Sequence, residues 1–502
     1  MLTRWGFNFN SIMNILTILN DVENRYPVCQ WMYEGIHLWP VIRIALVSEN
    51  FQDDQTQGYN RNRNLFKDVF KRIEPVLYSI WYTIRDYKHN ERIHSADFVF
   101  VGYNVSRTIF SKQGEYIDQI LDSVRLFLAD RGYKTFSLEY LSANNYNFPR
   151  FTKTNLMIMV DRFFVSIKSR FIKANCSNLY TPELFRVKKY LLARGVRCHI
   201  LDSERLLQEA HSIKLYSDYF FDLLNKTGAR IGIAVCWYNS FNMAFAHACK
   251  RMGIPMVDIQ HGIAGGNGNE AYCSWENVPL DGFNTMPSNF WCWTEADKNA
   301  IYNWIKGDGN SSAFVGGNPV RLLKGRSEVV IGKADEIENI LLKDGRFPIL
   351  LTLQTGTELP IWLIDYIKAS RKKLFWFIRK HPVMDDIQDK ILKNIGAIDN
   401  VETEWSSKYD LYNVLKHMRF HVTSHSAVVC NAWEYGIKSA LVDKLGESYF
   451  QDQIRKGCCF VTNSQDDLEY VILNNMIENV EVRDSISTAG IDYLIELCEK
   501  KI

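Results

Sequence analysis

His261 ends the run Val257-Asp258-Ile259-Gln260-His261-Gly262, in which an apolar strand pattern gives way to polar groups and then to glycine. An imidazole placed there can take the proton of an attacking hydroxyl, and Asp258 is the second candidate for that base. Gly262, Gly265, Gly266 and Gly268 leave the following backbone free to approach a ligand closely. A plain strand-to-loop turn with a backbone-satisfied histidine is the competing reading.

Phe375-Trp376-Phe377-Ile378-Arg379-Lys380-His381-Pro382 repeats the event about one α/β domain further on. Arg379, Lys380 and His381 gather cationic donors at one strand end, which suits a phosphate leaving group whose developing charge must be neutralised. Flanks of an exposed turn would carry the first two equally well. Thr423-Ser424-His425-Ser426 stands between a strand and a helix, where the Ser424 and Ser426 hydroxyls and free backbone amides suit an anion, although serines there also cap helices. Glu434, further along that helix, can accept from ribose hydroxyls or merely face solvent. Gln354-Thr355-Gly356-Thr357 is a fourth strand-end loop, which adds Thr355 and Gly356 to the candidates for binding a nucleotide-linked donor.

The sequence has no GxxxxGK[ST] loop, no HExxH helix and no GxGxxG at a strand-to-helix junction. Nucleotide hydrolysis, zinc proteolysis and dinucleotide redox chemistry are therefore unsupported. A DxD-type carboxylate pair is also missing, so no metal and no cofactor beyond a substrate nucleotide sugar is expected.

These loops need sheets to hold them. Residues 1–90 read as helical and aromatic-rich, with Trp31, Ile36, Trp39, Ile42, Phe66, Phe70 and Ile73 at helical spacings. Strand and helix patterns then alternate from Phe98, including a helix expected from about Glu115 to Ala129 and an apolar unit at Cys198-His199-Ile200-Leu201-Asp202. The expected organisation is a helical region over 1–90, an acceptor domain over 91–318, a donor domain over 319–480, and a last helix over 481–502 that crosses back to the N-terminal domain. Apolar strands in regular alternation with helices imply parallel sheets covered on both faces.

At 502 residues, with 47% apolar and 23% charged content, the chain is too long for one core. A net charge of +2 gives no case for a nucleic-acid partner. Eleven cysteines without a CxxC pair suggest neither a zinc site nor a disulfide framework. With no signal-peptide pattern at its start, the chain is expected in the cytoplasm; the aromatic helices beside the basic Tyr59–Asn64 loop raise a peripheral contact with the inner membrane.

The order of the Gly253–Gly262 motif, the Val315-Gly316-Gly317-Asn318-Pro319 linker, the His381-Pro382 pair and the Ser424-His425-Ser426 turn resembles bacterial surface-polysaccharide glycosyltransferases of the GT-B fold, over about residues 95–480. The His-Pro and paired-serine turns are similar to those of sialyltransferases, Kdo transferases and the glycerophosphate transferases of teichoic acid synthesis. The resemblance implies an α/β fold of two Rossmann-like domains whose parallel sheets face across a cleft, with His381, Ser424 and Ser426 on the donor's phosphate. The chain lacks the sialyltransferases' acidic Asp/Glu-Asp/Glu-Gly motif, which argues against a CMP-sialic acid donor. The implied reaction moves a sugar from a nucleotide donor to a lipopolysaccharide O-antigen or capsule acceptor, with or without a lipid link. A nucleotide-sugar epimerase of the same build and a non-catalytic scaffold subunit of an assembly complex are the alternatives.

Overall fold

The structure, a computed structural model, describes residues 9–51, 77, 80, 81, 84, 91–103, 107–140, 148–156, 182–264, 269–305, 311–323, 326, 327, 329, 330, 335–381, 386–475 and 487–500. Gly265, Gly266, Gly268, Pro382 and the expected apolar pattern over 66–76 lie outside these residues.

Strands Phe98–Tyr103, Thr135–Tyr140, Ile231–Val235, Met256–Ile259, Asn289–Cys292 and Ser312–Val315 form one sheet in which every pairing is parallel. Numbered by chain order, they lie 2-1-3-4-5-6 across it. Successive side chains of a strand point to opposite faces, and here both faces are buried. Phe98, Phe100, Ile231, Ile233, Val257, Ile259, Trp291 and Phe314 fill one face beneath the helices Leu121–Asp130 and Ala489–Glu499. Val99, Val101, Phe136, Leu138, Ala234, Met256 and Phe290 fill the other, against helices Ser203–Thr227 and Ser240–Met252.

The second sheet holds Phe347–Thr352, Leu374–Arg379, Val401–Glu402, Phe420–Thr423, Ser439–Leu441 and Cys459–Val461, again all parallel, in the order 3-2-1-4-5-6. Its order reverses between strand Phe347–Thr352 and strand Phe420–Thr423. The reversal sends the two following connections to opposite faces and opens a crevice at their carboxyl ends. The Thr355-Gly356 loop and the Ser424–Ser426 turn flank that crevice. In the first sheet the corresponding reversal lies between Phe98–Tyr103 and Ile231–Val235, beyond which stand Cys236, Trp237 and Tyr238.

Helices Phe9–Arg25 and Trp39–Phe51 are core elements of the N-terminal half, with Leu19, Val22, Trp39, Ile42 and Leu46 fully buried. Two local expectations differ from the structure. Residues Tyr116–Asp118 form a strand rather than the start of a helix, paired antiparallel with Arg107–Ser111, which in turn pairs with Val329–Val330; the helix begins at Leu121. The Asp118 carboxylate accepts from the Ile120 and Leu121 amides at 2.8 Å each, which sets that later start. His199–Leu201, read as part of an apolar α/β unit, is a single 3-10 turn leading into the long helix from Ser203.

Candidate functional site

On the C-terminal sheet, Thr352 ends its strand in register with Thr423, whose hydroxyl donates to the Thr352 carbonyl at 3.1 Å. The two chains then diverge. Thr355 lies in the first loop, nine-tenths buried, with its hydroxyl 2.9 Å from His381 Nδ1, and Gly356 follows at φ +72°. The His381 amide donates at 2.8 Å to Oε1 of the fully buried Gln388, so the imidazole is fixed from both its backbone and its ring. On the other side of the crevice Ser424 and Ser426 are buried, and the Ser426 hydroxyl accepts from the Val428 amide at 3.3 Å. His425 between them turns to Asp443 Oδ2 at 2.9 Å. A Cβ on Gly446 would stand 2.1 Å from the Ser424 carbonyl, so only glycine lets the next helix start against this turn.

The remaining donor candidates are engaged elsewhere. Arg379 Nη1 donates to the Ser406 and Tyr409 carbonyls at 2.5 and 2.7 Å, and burial pulls its pKa down to about 10 against the pull of Asp410. Lys380 Nζ lies 3.7 Å from Asp389. Glu434 is the last residue of the helix Val428–Glu434, where its Oε2 accepts from Asn318 Nδ2 at 3.3 Å. Asn318 also donates to the Tyr412 hydroxyl at 2.9 Å, to which Asn431 donates at 3.0 Å. Glu434 thus takes part in a polar tie between the Gly316-Gly317-Asn318 linker and the C-terminal half.

On the N-terminal sheet, His261 sits just past strand Met256–Ile259, its Nε2 3.3 Å from the Tyr238 hydroxyl and the two rings tilted at 6.1 Å. Its Nδ1 is buried, and no hydrogen-bond partner meets it among the described residues. Burial lowers the imidazole's pKa to about 4, so it is neutral at pH 7 and able to accept a proton, though with little driving force. Asp258 is almost wholly enclosed: Oδ1 accepts from the Trp237 amide at 3.0 Å and Oδ2 from the Tyr272 hydroxyl at 2.6 Å. Burial outweighs both bonds and raises its pKa to about 8. Asp258 therefore holds the loop around His261. Gln260 does the same, donating to the Gly262 carbonyl at 2.6 Å and accepting from the Trp293 amide at 2.7 Å.

Sequence reasoning passed over the loop that completes this edge. Cys236 has φ +65°, a conformation that costs a non-glycine residue about 1–3 kcal/mol. It is held there because its carbonyl accepts from Asn239 Nδ2 at 2.8 Å and Asn242 Nδ2 at 3.1 Å. The signal available in the sequence was Asn239 followed three residues later by Asn242, just after an apolar strand. Further along, the segment after His261 is framed from the N-terminal helices. Arg43, fully buried, donates to the Ser274 carbonyl at 2.7 Å, stacks over Trp275 at 4.1 Å and pairs with Glu23 at 3.1 Å. Glu23 also accepts from the Trp39 indole at 2.8 Å and from the Glu276 amide at 2.6 Å.

The two edges meet. Val429, Leu445 and Tyr449, from the helices that follow the serine turn and Asp443, share one apolar cluster with Ala271, Tyr272, Cys273 and Trp275, from the segment that follows His261.

No protein-family model matches the chain, and no curated protein matches it. Solved structures are similar in fold. A protein assigned as a UDP-N-acetylglucosamine 2-epimerase from Listeria monocytogenes superposes with a TM-score of 0.50 at 12% identity, over 82% of this chain and 98% of that one. The UDP-GlcNAc 2-epimerase of Neisseria meningitidis bound to UDP-GlcNAc gives 0.46 at 12%, over 80% and 100%. A glycotransferase of kitacinnamycin gives 0.39 at 9%, over 81% and 95%. The fold is the α/β GT-B arrangement of two parallel-sheet domains.

Proposed function

We propose that the chain is a metal-independent glycosyltransferase that moves a sugar from a nucleotide-activated donor to a bacterial surface glycan, of the O-antigen or capsule type. One observation carries the reading: the two sheets end in dissimilar sets, one of hydroxyls and a fixed imidazole, the other an imidazole with a buried free nitrogen. The first set suits a phosphate. His381, Thr355, Ser424 and Ser426 are the donor-binding group, with Gly356 turning the loop. Arg379 and Lys380 hold the adjoining segments, and Glu434 ties the linker. The second set suits an acceptor hydroxyl, for which the neutral His261 is the candidate base, oriented by Tyr238 and supported by Asp258. A lipid-linked acceptor would bring this reaction to the cytoplasmic face of the inner membrane.

The second reading is a nucleotide-sugar 2-epimerase, the activity for which the Listeria monocytogenes protein is named. An epimerase needs no second substrate. The buttressing of the segment after His261 by Glu23 and Arg43 favours the transferase, because it strengthens the side on which an acceptor would sit. Incubation with CMP, UDP, GDP, dTDP and CDP sugars, with and without glycan acceptors, tests the choice. Free nucleotide released only when acceptor is present is the expected result. An epimeric sugar formed from donor alone would replace the transferase, and failure of every nucleotide to raise the melting temperature would favour the scaffold subunit.

A further inference from the structure

Helix Pro182–Leu192 packs on the N-terminal core through Leu184, Val187 and Leu191 and turns a different set of side chains outward. Phe185 and Leu192 are 60% and 56% exposed. Seven residues make two helical turns less about 20°, so the two side chains stand on one stripe, about 10 Å apart along the axis. Lys189 lies between them on that stripe and Arg186 stands beside it, both exposed. A single exposed leucine is ordinary on a protein surface, but a phenylalanine and a leucine aligned across two turns form an apolar ridge.

Charge indicates what covers the ridge. Residues 182–197 carry Arg186, Lys188, Lys189, Arg194 and Arg197 against Glu183 alone, a net of +4, whereas the whole chain carries only +2. Two neighbouring acids are already paired, Asp21 with Arg25 at 2.7 Å and Asp202 with Lys188 at 2.5 Å. Arg186 and Lys189 enter no ion pair among the described residues, which leaves their charge for an outside surface. Helix Gln465–Asn475 supplies the contrast. It also exposes two large apolar side chains, Tyr470 at 70% and Leu473 at 42%, but it carries Asp466, Asp467 and Glu469 and no basic residue.

An anionic bilayer takes apolar side chains at the level of its headgroups and attracts the basic residues beside them, so it would draw in the first helix and repel the second. A second copy of the chain on the ridge would bring like charges together. No helix among the described residues is long and apolar enough to cross a membrane, so the contact is with one leaflet. We propose that the outer face of helix Pro182–Leu192 docks on an anionic lipid bilayer, with Phe185 and Leu192 as its apolar anchors and Arg186 and Lys189 as its cations. The proposal extends the inner-membrane placement above and stands without the transferase chemistry, because lipid binding is measured with no sugar substrate present.

The test is sedimentation of the full chain with vesicles of phosphatidylcholine alone and of phosphatidylcholine with phosphatidylglycerol, at low and high salt. Wild-type protein should pellet with the anionic vesicles, less so as salt rises. Phe185→Glu/Leu192→Glu should lower partitioning about tenfold or more, and Arg186→Gln/Lys189→Gln about tenfold at low salt and little at high salt. Tyr470→Glu/Leu473→Glu should pellet as wild type does. All six side chains are exposed, so the melting temperatures should stay near that of wild type. Wild-type protein that stays in solution with anionic vesicles would overturn the proposal. So would either variant of helix Pro182–Leu192 that is folded and binds as wild type does, or an equal loss on changing Tyr470 and Leu473. Dimerisation in sedimentation velocity that Phe185→Glu/Leu192→Glu abolishes would assign the ridge to a second copy instead.

Discussion

Beyond the N-terminal sheet the strand ends carry Tyr103, Tyr140, Tyr238 and His261, with the first two rings stacked at 4.8 Å, whereas beyond the C-terminal sheet they carry Thr355, His381, Ser424 and Ser426. The supports differ in the same sense. Behind the N-terminal edge lie buried carboxyls and a guanidinium: Asp258, Glu23 and Arg43. Behind the centre of the C-terminal edge His421 sits between the Thr352 and Ser439 hydroxyls, 2.9 Å from each, and the buried guanidinium of that half, Arg379, stands to one side on the Ser406 and Tyr409 carbonyls. Similar six-stranded parallel sheets thus end in chemically different sets, the contrast on which the proposed division between donor and acceptor rests. Aromatic rings around an imidazole suit a sugar face and its hydroxyl, while small hydroxyls around an imidazole suit an anion that needs several short hydrogen bonds.

The largest effect is expected where the N-terminal edge is supported. Glu23→Ala leaves Arg43 buried without its carboxylate and the Glu276 amide without its acceptor, and should cost about 3–5 kcal/mol of stability by chemical denaturation. A cost near zero would mean that the charged frame does not support this edge at all.

On the proposed donor side, His381→Ala should lower turnover by about a thousandfold while the melting temperature stays near that of wild type, the size expected for removing one fixed donor to a developing charge. Near-normal turnover would take the phosphate away from this loop. His261→Ala should cost at least about a hundredfold in kcat, the lower range for a general base. Were its effect confined to KM, the N-terminal edge would be a binding surface without a proton-transfer role.

The supports should also respond to pH with opposite signs. Burial holds His421 down at about 3, below the ordinary 6.5, so its contribution is complete above pH 6.5 and is lost as pH falls toward 3. Asp258 is held up at about 8, above the ordinary 3.8, so its contribution is complete below pH 3.8 and is lost as pH rises toward 8. Between pH 5 and pH 7 the histidine adds about 2 kcal/mol and the aspartate removes about 2–3 kcal/mol, nearly cancelling in wild type. Denaturation at both pH values should therefore show His421→Gln tilting the balance toward acid and Asp258→Asn toward base. Variants that tilt it the same way would refute the contrast between the two supports.

How much of this could be read in advance follows from burial. Phe98–Tyr103, Phe347–Thr352 and Leu374–Arg379 are covered on both faces, so they appear in sequence as unbroken apolar runs. Tyr116–Asp118 is legible only through its neighbour Arg107–Ser111, which also pairs with Val329–Val330 more than two hundred residues away. His261, His381 and the serine pair stand out in the sequence as candidates because they are polar groups after an apolar run. The roles of Arg379 and Asp258 were not legible, since an arginine that donates to carbonyls and an aspartate that accepts from a tyrosine look the same in sequence as ones that meet a ligand. The contacts of Asn318, Tyr412 and Cys236 were not legible because they join separate parts of the chain or depend on a left-handed backbone.

The C-terminal helix has a bearing on the order in which the molecule can be assembled. Tyr493 stacks on Phe314 at 4.0 Å, Ile491 and Leu494 are fully buried on the N-terminal sheet, and Gly490 lies so close to Trp291 that a Cβ there would stand 2.3 Å from the indole. On the ribosome, synthesis runs from residue 1 upward, so one flank of the first sheet stays bare to water until residues 490–498 have left the exit tunnel. The second sheet, whose core ends at Ile472, can close sooner. The half made first is the half finished last, and throughout that interval its Trp291 and Phe314 face is what a holding chaperone would find.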